Sequence, residues 1–239
     1  MARSKGGGCI SILIIGIAVL VFGVGRCGHS DRAPKLTANP NRTDGTAVYI
    51  LIDVSGSMDE SVPNAKGSSE AKLAIAKRAA IDACKAIAKY ADEDPKRTIR
   101  LAVASFSDDF KNDVSMGKPN AAGAERAINS LSTRGGTGIG DAVVEAQRAL
   151  DQTALRGQHI LVITDGENNK GASPDNVANA INALPEALRP SVYLVAFDVN
   201  ANIFDSVKSK GWQIFSAADG KQLQTQLDEV VGGKILLEK

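Results

Sequence analysis

From Thr46 onward, apolar runs of strand length alternate with stretches of helical period. TAVYILIDV (46–54) is apolar at nearly every position, the pattern of a strand covered on both faces. SSEAKLAIAKRAAIDACKAIAKYA (68–91) sets Leu73, Ala76, Ala80, Cys84 and Ile87 on one stripe and predicts a long amphipathic helix. TIRLAVASFS (98–107) predicts the next strand, DVSMG (113–117) a short edge strand and GAERAINSL (123–131) a short helix. DAVVEAQRALDQTA (141–154) predicts a helix and QHILVITDG (158–166) a second apolar strand ended by an acid and a glycine. SPDNVANAINALPEAL (173–188) predicts a helix with Ser173 as N-cap and Pro174 at its first position. SVYLVAFDV (191–199) and WQIFSA (212–217) read as strands, NIFDSVKSKG (202–211) and GKQLQTQLDEVV (220–231) as helices. Apolar strands alternating with helices imply an α/β fold, a doubly wound, mostly parallel open sheet of about six strands flanked by helices. In such sheets ligands bind outside the carboxyl ends of the strands.

The N-terminus departs from this rhythm. Ile10 to Gly25 is an apolar run behind Arg3 and Lys5. As a helix it spans about 24 Å, short of a hydrocarbon core of about 30 Å. Residues 1–27 therefore read as a signal peptide or a membrane anchor. Lipid attachment at Cys27 is a third option, with Arg26 standing where a small residue is expected. Arg26, Arg32 and Lys35 after the run offset Arg3 and Lys5, so charge leaves the orientation open. Residues 28–45 are polar, contain Pro34 and Pro40 and read as a linker; 46–231 read as the folded domain and 232–239 as a tail. The expected location is a membrane, with the domain on the extracytoplasmic side; a secreted or periplasmic product and a cytoplasmic-face domain are the alternatives.

Composition mainly excludes. Twenty-eight basic against 27 acidic residues leave a net charge of +1, and aromatics are 4%. No basic stripe interleaved with aromatics is present, so nucleic acid is not an expected partner. Of the three cysteines, Cys9 and Cys27 lie in the N-terminal segment and Cys84 in a helical stripe, which argues against a disulfide framework or a Cys/His zinc site. Cys84 reads as a small core residue.

The candidate chemistry sits at the strand ends. DVSGS supplies Asp53, Ser55 and Ser57; RGGTGIGD supplies Thr137 at the mouth of a helix; TDG supplies Asp165. These residue types also make turns, and an Asp-x-Ser-x-Ser match alone arises in roughly one chain in twenty of this length. Its place after a buried strand, with the other two segments downstream, points instead to a hard divalent cation held by oxygens. The compact hydroxyl-rich set favours magnesium, with manganese or calcium as alternatives. Asp59, Glu60 and Glu167 lie close enough in sequence to tune such a site. For an enzyme the residues are poor: no G-x-S-x-G surrounds the serines, no G-x-x-x-x-G-K-[ST] is present, and an aspartyl phosphatase would carry a second Asp where Ser55 stands. His29 falls in the linker and His159 at the start of a strand, away from the acids, as a structural or surface residue.

The five residues together resemble the metal-ion-dependent adhesion site of a von Willebrand factor type A, or integrin I-like, domain: Asp53-x-Ser55-x-Ser57, then a separate Thr137 and Asp165. The resemblance covers roughly Thr46 to Val231. It implies that Ser55, Ser57 and Thr137 bind the metal through hydroxyls, and that Asp53 and Asp165 act directly or through water. It further implies that an Asp or Glu of a protein partner fills the sixth position. The expected function is a membrane-tethered, metal-dependent adhesion or assembly module without catalysis. An accessory subunit docking to an AAA+ ATPase is the alternative, and a metal-dependent hydrolase a weaker one.

Overall fold

The computed structural model describes residues 33–63 and 68–237. β1 (Thr43–Asp53) is followed by a 3₁₀ turn (Gly56–Asp59) and a small hairpin of β2 (Ser61–Pro63) and β3 (Ser69–Ala71). Then come α1 (Lys72–Glu93), β4 (Ile99–Phe106), β5 (Phe110–Gly117), α2 (Ala121–Asn129), α3 (Ile139–Gln152) and β6 (Leu155–Thr164). The chain continues through α4 (Pro174–Asn182), β7 (Ser191–Phe197), α5 (Asp205–Lys208), β8 (Gln213–Ala217) and α6 (Gly220–Val230). The main sheet has six strands in the order β5-β4-β1-β6-β7-β8, parallel except for β5, which pairs antiparallel with β4 at the edge.

The period of two along β1 divides the core. Val48, Ile50 and Ile52 pack with α1, α2 and α6 on one face, while Ala47, Tyr49 and Leu51 pack with α3 and α4 on the other. Because both faces are covered, the strand is apolar from Ala47 to Ile52. After β1 the chain builds β4 and β5 on one side and then crosses to β6 on the other. The order reverses at β1, so the crevice between the ends of β1 and β6 is where a ligand site belongs.

Several elements differ from the sequence expectation. The helix expected over 202–211 is a 3₁₀ turn (Ala201–Phe204) followed by α5, and the edge strand starts at Phe110 instead of 113. The expected tail continues α6 as a helical turn (Val231–Ile235), with Ile235 buried in the core. Residues 69–71 pair with 61–63 as β3, so the long helix starts at Lys72 instead of 68. The helix expected over 173–188 stops at Asn182, because Pro185 disfavours helical backbone before it, and residues 186–188 form a 3₁₀ turn. β1 starts at Thr43, inside the expected linker, and the residues before it lie on the domain. The Gln147 amide donates to the Thr37 carbonyl (2.9 Å), the Asn39 N–H to Asp151 Oδ1 (2.7 Å), and Arg42, its side chain 3% exposed, to Asp151 and the Leu188 carbonyl. Among the described residues no helix is long and apolar enough to cross a membrane; the run from Ile10 to Gly25 lies outside them.

Candidate metal centre

The carboxyl ends of β1 and β6 lie side by side, which sets Asp53 beside Thr164. Asp53 has no solvent exposure. Its Oδ1 accepts from the Ser55 N–H at 2.8 Å and its Oδ2 from the Thr164 hydroxyl at 2.6 Å. Burial, with the nearby Asp165 adding to it, pushes the Asp53 pKa up to about 6 against the opposing hydrogen bonds from Thr164 and Ser55. A carboxylate placed this way carries a desolvation penalty that an adjacent cation would offset.

The rest of the set is linked by hydroxyls. Ser55 Oγ and Ser57 Oγ are 3.1 Å apart, and Ser57 Oγ donates to Asp165 Oδ1 at 2.8 Å. Thr137 reaches the same place from the loop before α3. A Cβ built on Gly166 would stand 3.7 Å from Thr137 Oγ1 and 4.0 Å from Ser57 Oγ, so both hydroxyls border one small space. The Thr137 loop is pinned from several sides. The Gly56 N–H donates to the Gly135 carbonyl (3.1 Å), the Gly136 N–H to Asp108 Oδ1 (2.9 Å) and the Thr137 N–H to Asn169 Oδ1 (2.9 Å). Gly135 is at φ +61°, and a side chain there would also meet Asp108, so glycine is required at the turn.

Asp53, Ser55, Ser57, Thr137 and Asp165 are thus brought together, from loops that the strand order makes neighbours. The donors are all oxygen, two carboxylates and three hydroxyls. They fit a hard divalent cation and would hold it with positions left for water or a partner. Among the described residues no group of three or more His, Cys, Asp or Glu is placed to hold a metal.

Several neighbours were not identified from the sequence: Thr164, Asp108, Asn169 and above all Lys72. The Lys72 ammonium lies 3.1 Å from Asp165 Oδ2, 2.9 Å from Glu60 Oε2 and 3.1 Å from Asp198 Oδ2. Burial works against its charge, but these carboxylates outweigh it and its pKa is raised. Thr164 stands in the TDG segment itself and was legible as a strand-end hydroxyl; Lys72, at a helix start, carries no local signal. His159 is 1% exposed within β6 and stacked on Tyr193, so of the two sequence options it is structural, not a surface residue. Five residues of strand, about 16 Å, separate it from Thr164, which keeps His159 out of a Ser-His-Asp arrangement with these serines.

The family model described as von Willebrand factor type A domain matches residues 48–168, half of the chain and all of the candidate site. The chain belongs to that family. This von Willebrand factor type A protein is 28% identical over 169 residues to the uncharacterized protein YwmC of Bacillus subtilis (strain 168), a match covering 62% of this chain and 68% of YwmC. In three dimensions it is similar to the PilB minor pilin of Streptococcus sanguinis (TM-score 0.64, 14% identity), over 83% of this chain but only 63% of PilB. It is also similar to the domain of the type V pili tip protein Mfa5 of Porphyromonas gingivalis (TM-score 0.63, 12% identity), over 80% of this chain and 95% of that one. At these identities the structural likeness concerns the fold.

Proposed function

We propose that this von Willebrand factor type A protein is a membrane-tethered, divalent-metal-dependent binding module that captures an Asp or Glu of a protein partner and catalyses nothing itself. The observation that carries the reading is the convergence of Asp53, Ser55, Ser57, Thr137 and Asp165 at the switch point of the sheet. Neutral hydroxyls cancel little of a cation's charge, so an ion held mainly by them stays electrophilic toward an outside carboxylate. Magnesium suits the small, single-oxygen donors best. The pilus membership in the names of PilB and Mfa5 supports an assembly or adhesion role. The apolar run from Ile10 to Gly25 supports a membrane tether, and the pilus proteins among its structural neighbours favour the extracytoplasmic side.

The test is affinity capture from envelope extracts with magnesium and with EDTA, followed by mass spectrometry. Partners should appear with magnesium and be lost with EDTA, which strips the ion that the partner's carboxylate would bind. Asp53→Ala and Thr137→Ala should lose them in magnesium while keeping the far-UV circular dichroism of the parent. The same partners recovered in EDTA would defeat the reading.

A further inference from the structure

Asp165 is held from two directions. Its Oδ1 accepts from Ser57 within the candidate metal site, and its Oδ2 accepts from Lys72. Lys72 is the first residue of α1, with its side chain only 5% exposed. A cation there opposes the positive end of the helix dipole as well as burial. What keeps it in place is convergence. Glu60 comes from the end of the 3₁₀ turn, Asp165 from the end of β6, and Asp198 from the end of β7, where it adopts φ +52°. The Lys72 N–H also donates to the Glu60 carbonyl at 2.8 Å.

This arrangement bears on which ion fits. Both oxygens of Asp53 are engaged by Ser55 and Thr164, and Asp165 has one oxygen turned to Lys72. Asp165 therefore presents Oδ1 to the site while Lys72 draws Oδ2 away, and the hydrogen bonds on Asp53 favour single-oxygen ligation there too. Calcium commonly takes bidentate carboxylates within a shell of about six to eight oxygens, whereas magnesium takes about six single-oxygen donors at shorter range.

We propose that Lys72 is a positioning residue that sets ion selectivity: by holding Oδ2 of Asp165 it restricts that carboxylate to one oxygen and makes the site prefer magnesium or manganese to calcium. The inference rests on the metal-site reading above.

The test is isothermal titration calorimetry of magnesium, manganese and calcium on the full chain in detergent, for the parent, K72R and K72M. The parent should bind calcium at least about tenfold more weakly than magnesium, K72M should narrow that gap about tenfold or more, and K72R should keep it. General loosening of the site would weaken both ions alike and leave the ratio unmoved. If K72M does not fold, K72M/D198N, which removes one carboxylate deprived of its cation, carries the same expectation. A parent that binds magnesium but equally well calcium, or a folded K72M with the parental ratio, overturns the role of Lys72. A parent that binds none of the three ions overturns the metal site itself.

Discussion

His159 couples the middle of the sheet to acid stability. Its ring is buried, and burial pushes its pKa down from 6.5 to about 4. Between those values the unfolded chain binds a proton that the folded chain refuses, so stability is intact above pH 6.5 and is lost as pH falls toward 4. The displacement corresponds to about 3 kcal/mol. Asp53 acts in the opposite sense, because its folded pKa of about 6 lies above 3.8 and its penalty is relieved over much of the same range. A comparison with His159→Phe isolates the imidazole, since Asp53 is common to both proteins. In urea unfolding with EDTA present, the variant should gain about 2–3 kcal/mol on the parent between pH 7 and pH 4.5. A constant difference across that range would show that the ring titrates normally. At this scale the legible residues were those whose motif travels within a strand end, such as Asp53, Ser55 and Ser57. Lys72 was not, and Thr164 was legible only as a strand-end hydroxyl, because their partners Asp165 and Asp53 lie 93 and 111 residues away and only the topology joins them.

Elements with a clear period were legible with small boundary shifts: β1, β4, β6 and β7 from their apolar runs, α1 and α3 from their stripes. The β2–β3 hairpin was not, since SVP and SEA are too short to show alternation and run straight into the helical pattern of α1. Nor did the pattern show how closely α3 approaches the loop before α4. Gly140 lies in the first turn of α3, and a Cβ there would fall 2.0 Å from the Ala172 carbonyl oxygen. Its N–H donates to Asn168 Oδ1 at 3.1 Å, and the adjacent Asn169 holds Thr137. Gly→Ala in a helix ordinarily gains about 1 kcal/mol. Here the clash is with backbone, which cannot swing aside, and overpacking of this kind costs about 1–3 kcal/mol or more. Gly140→Ala should therefore lower stability by about 1–2 kcal/mol net and weaken magnesium binding, through displacement of the Thr137 loop. Chemical denaturation and calorimetry check the two effects separately; an unchanged or raised denaturation midpoint would mean that the loop yields freely.

For the molecule as a whole, the candidate site exists only in the folded chain. Its oxygens come from segments that meet because the strand order reverses at β1. Binding there must therefore add to folding stability. Without an ion, Asp53 is ionised and buried at pH 7.5, so the folded state carries a penalty that a bound cation would relieve. At magnesium about a hundredfold above its dissociation constant the gain is about 2.7 kcal/mol. For a domain of this size each kcal/mol raises Tm by about 2–4 °C, which gives an expected rise of about 5–10 °C over the EDTA-treated protein. The rise should shrink below pH 6, as Asp53 takes up a proton, and should vanish in Asp53→Ala and Thr137→Ala. Differential scanning fluorimetry across pH 5 to 8 reads all of this in one series. Superimposable magnesium and EDTA melts for the parent at pH 7.5 would show that the folded domain binds no ion, and would remove the physical basis for metal-dependent capture.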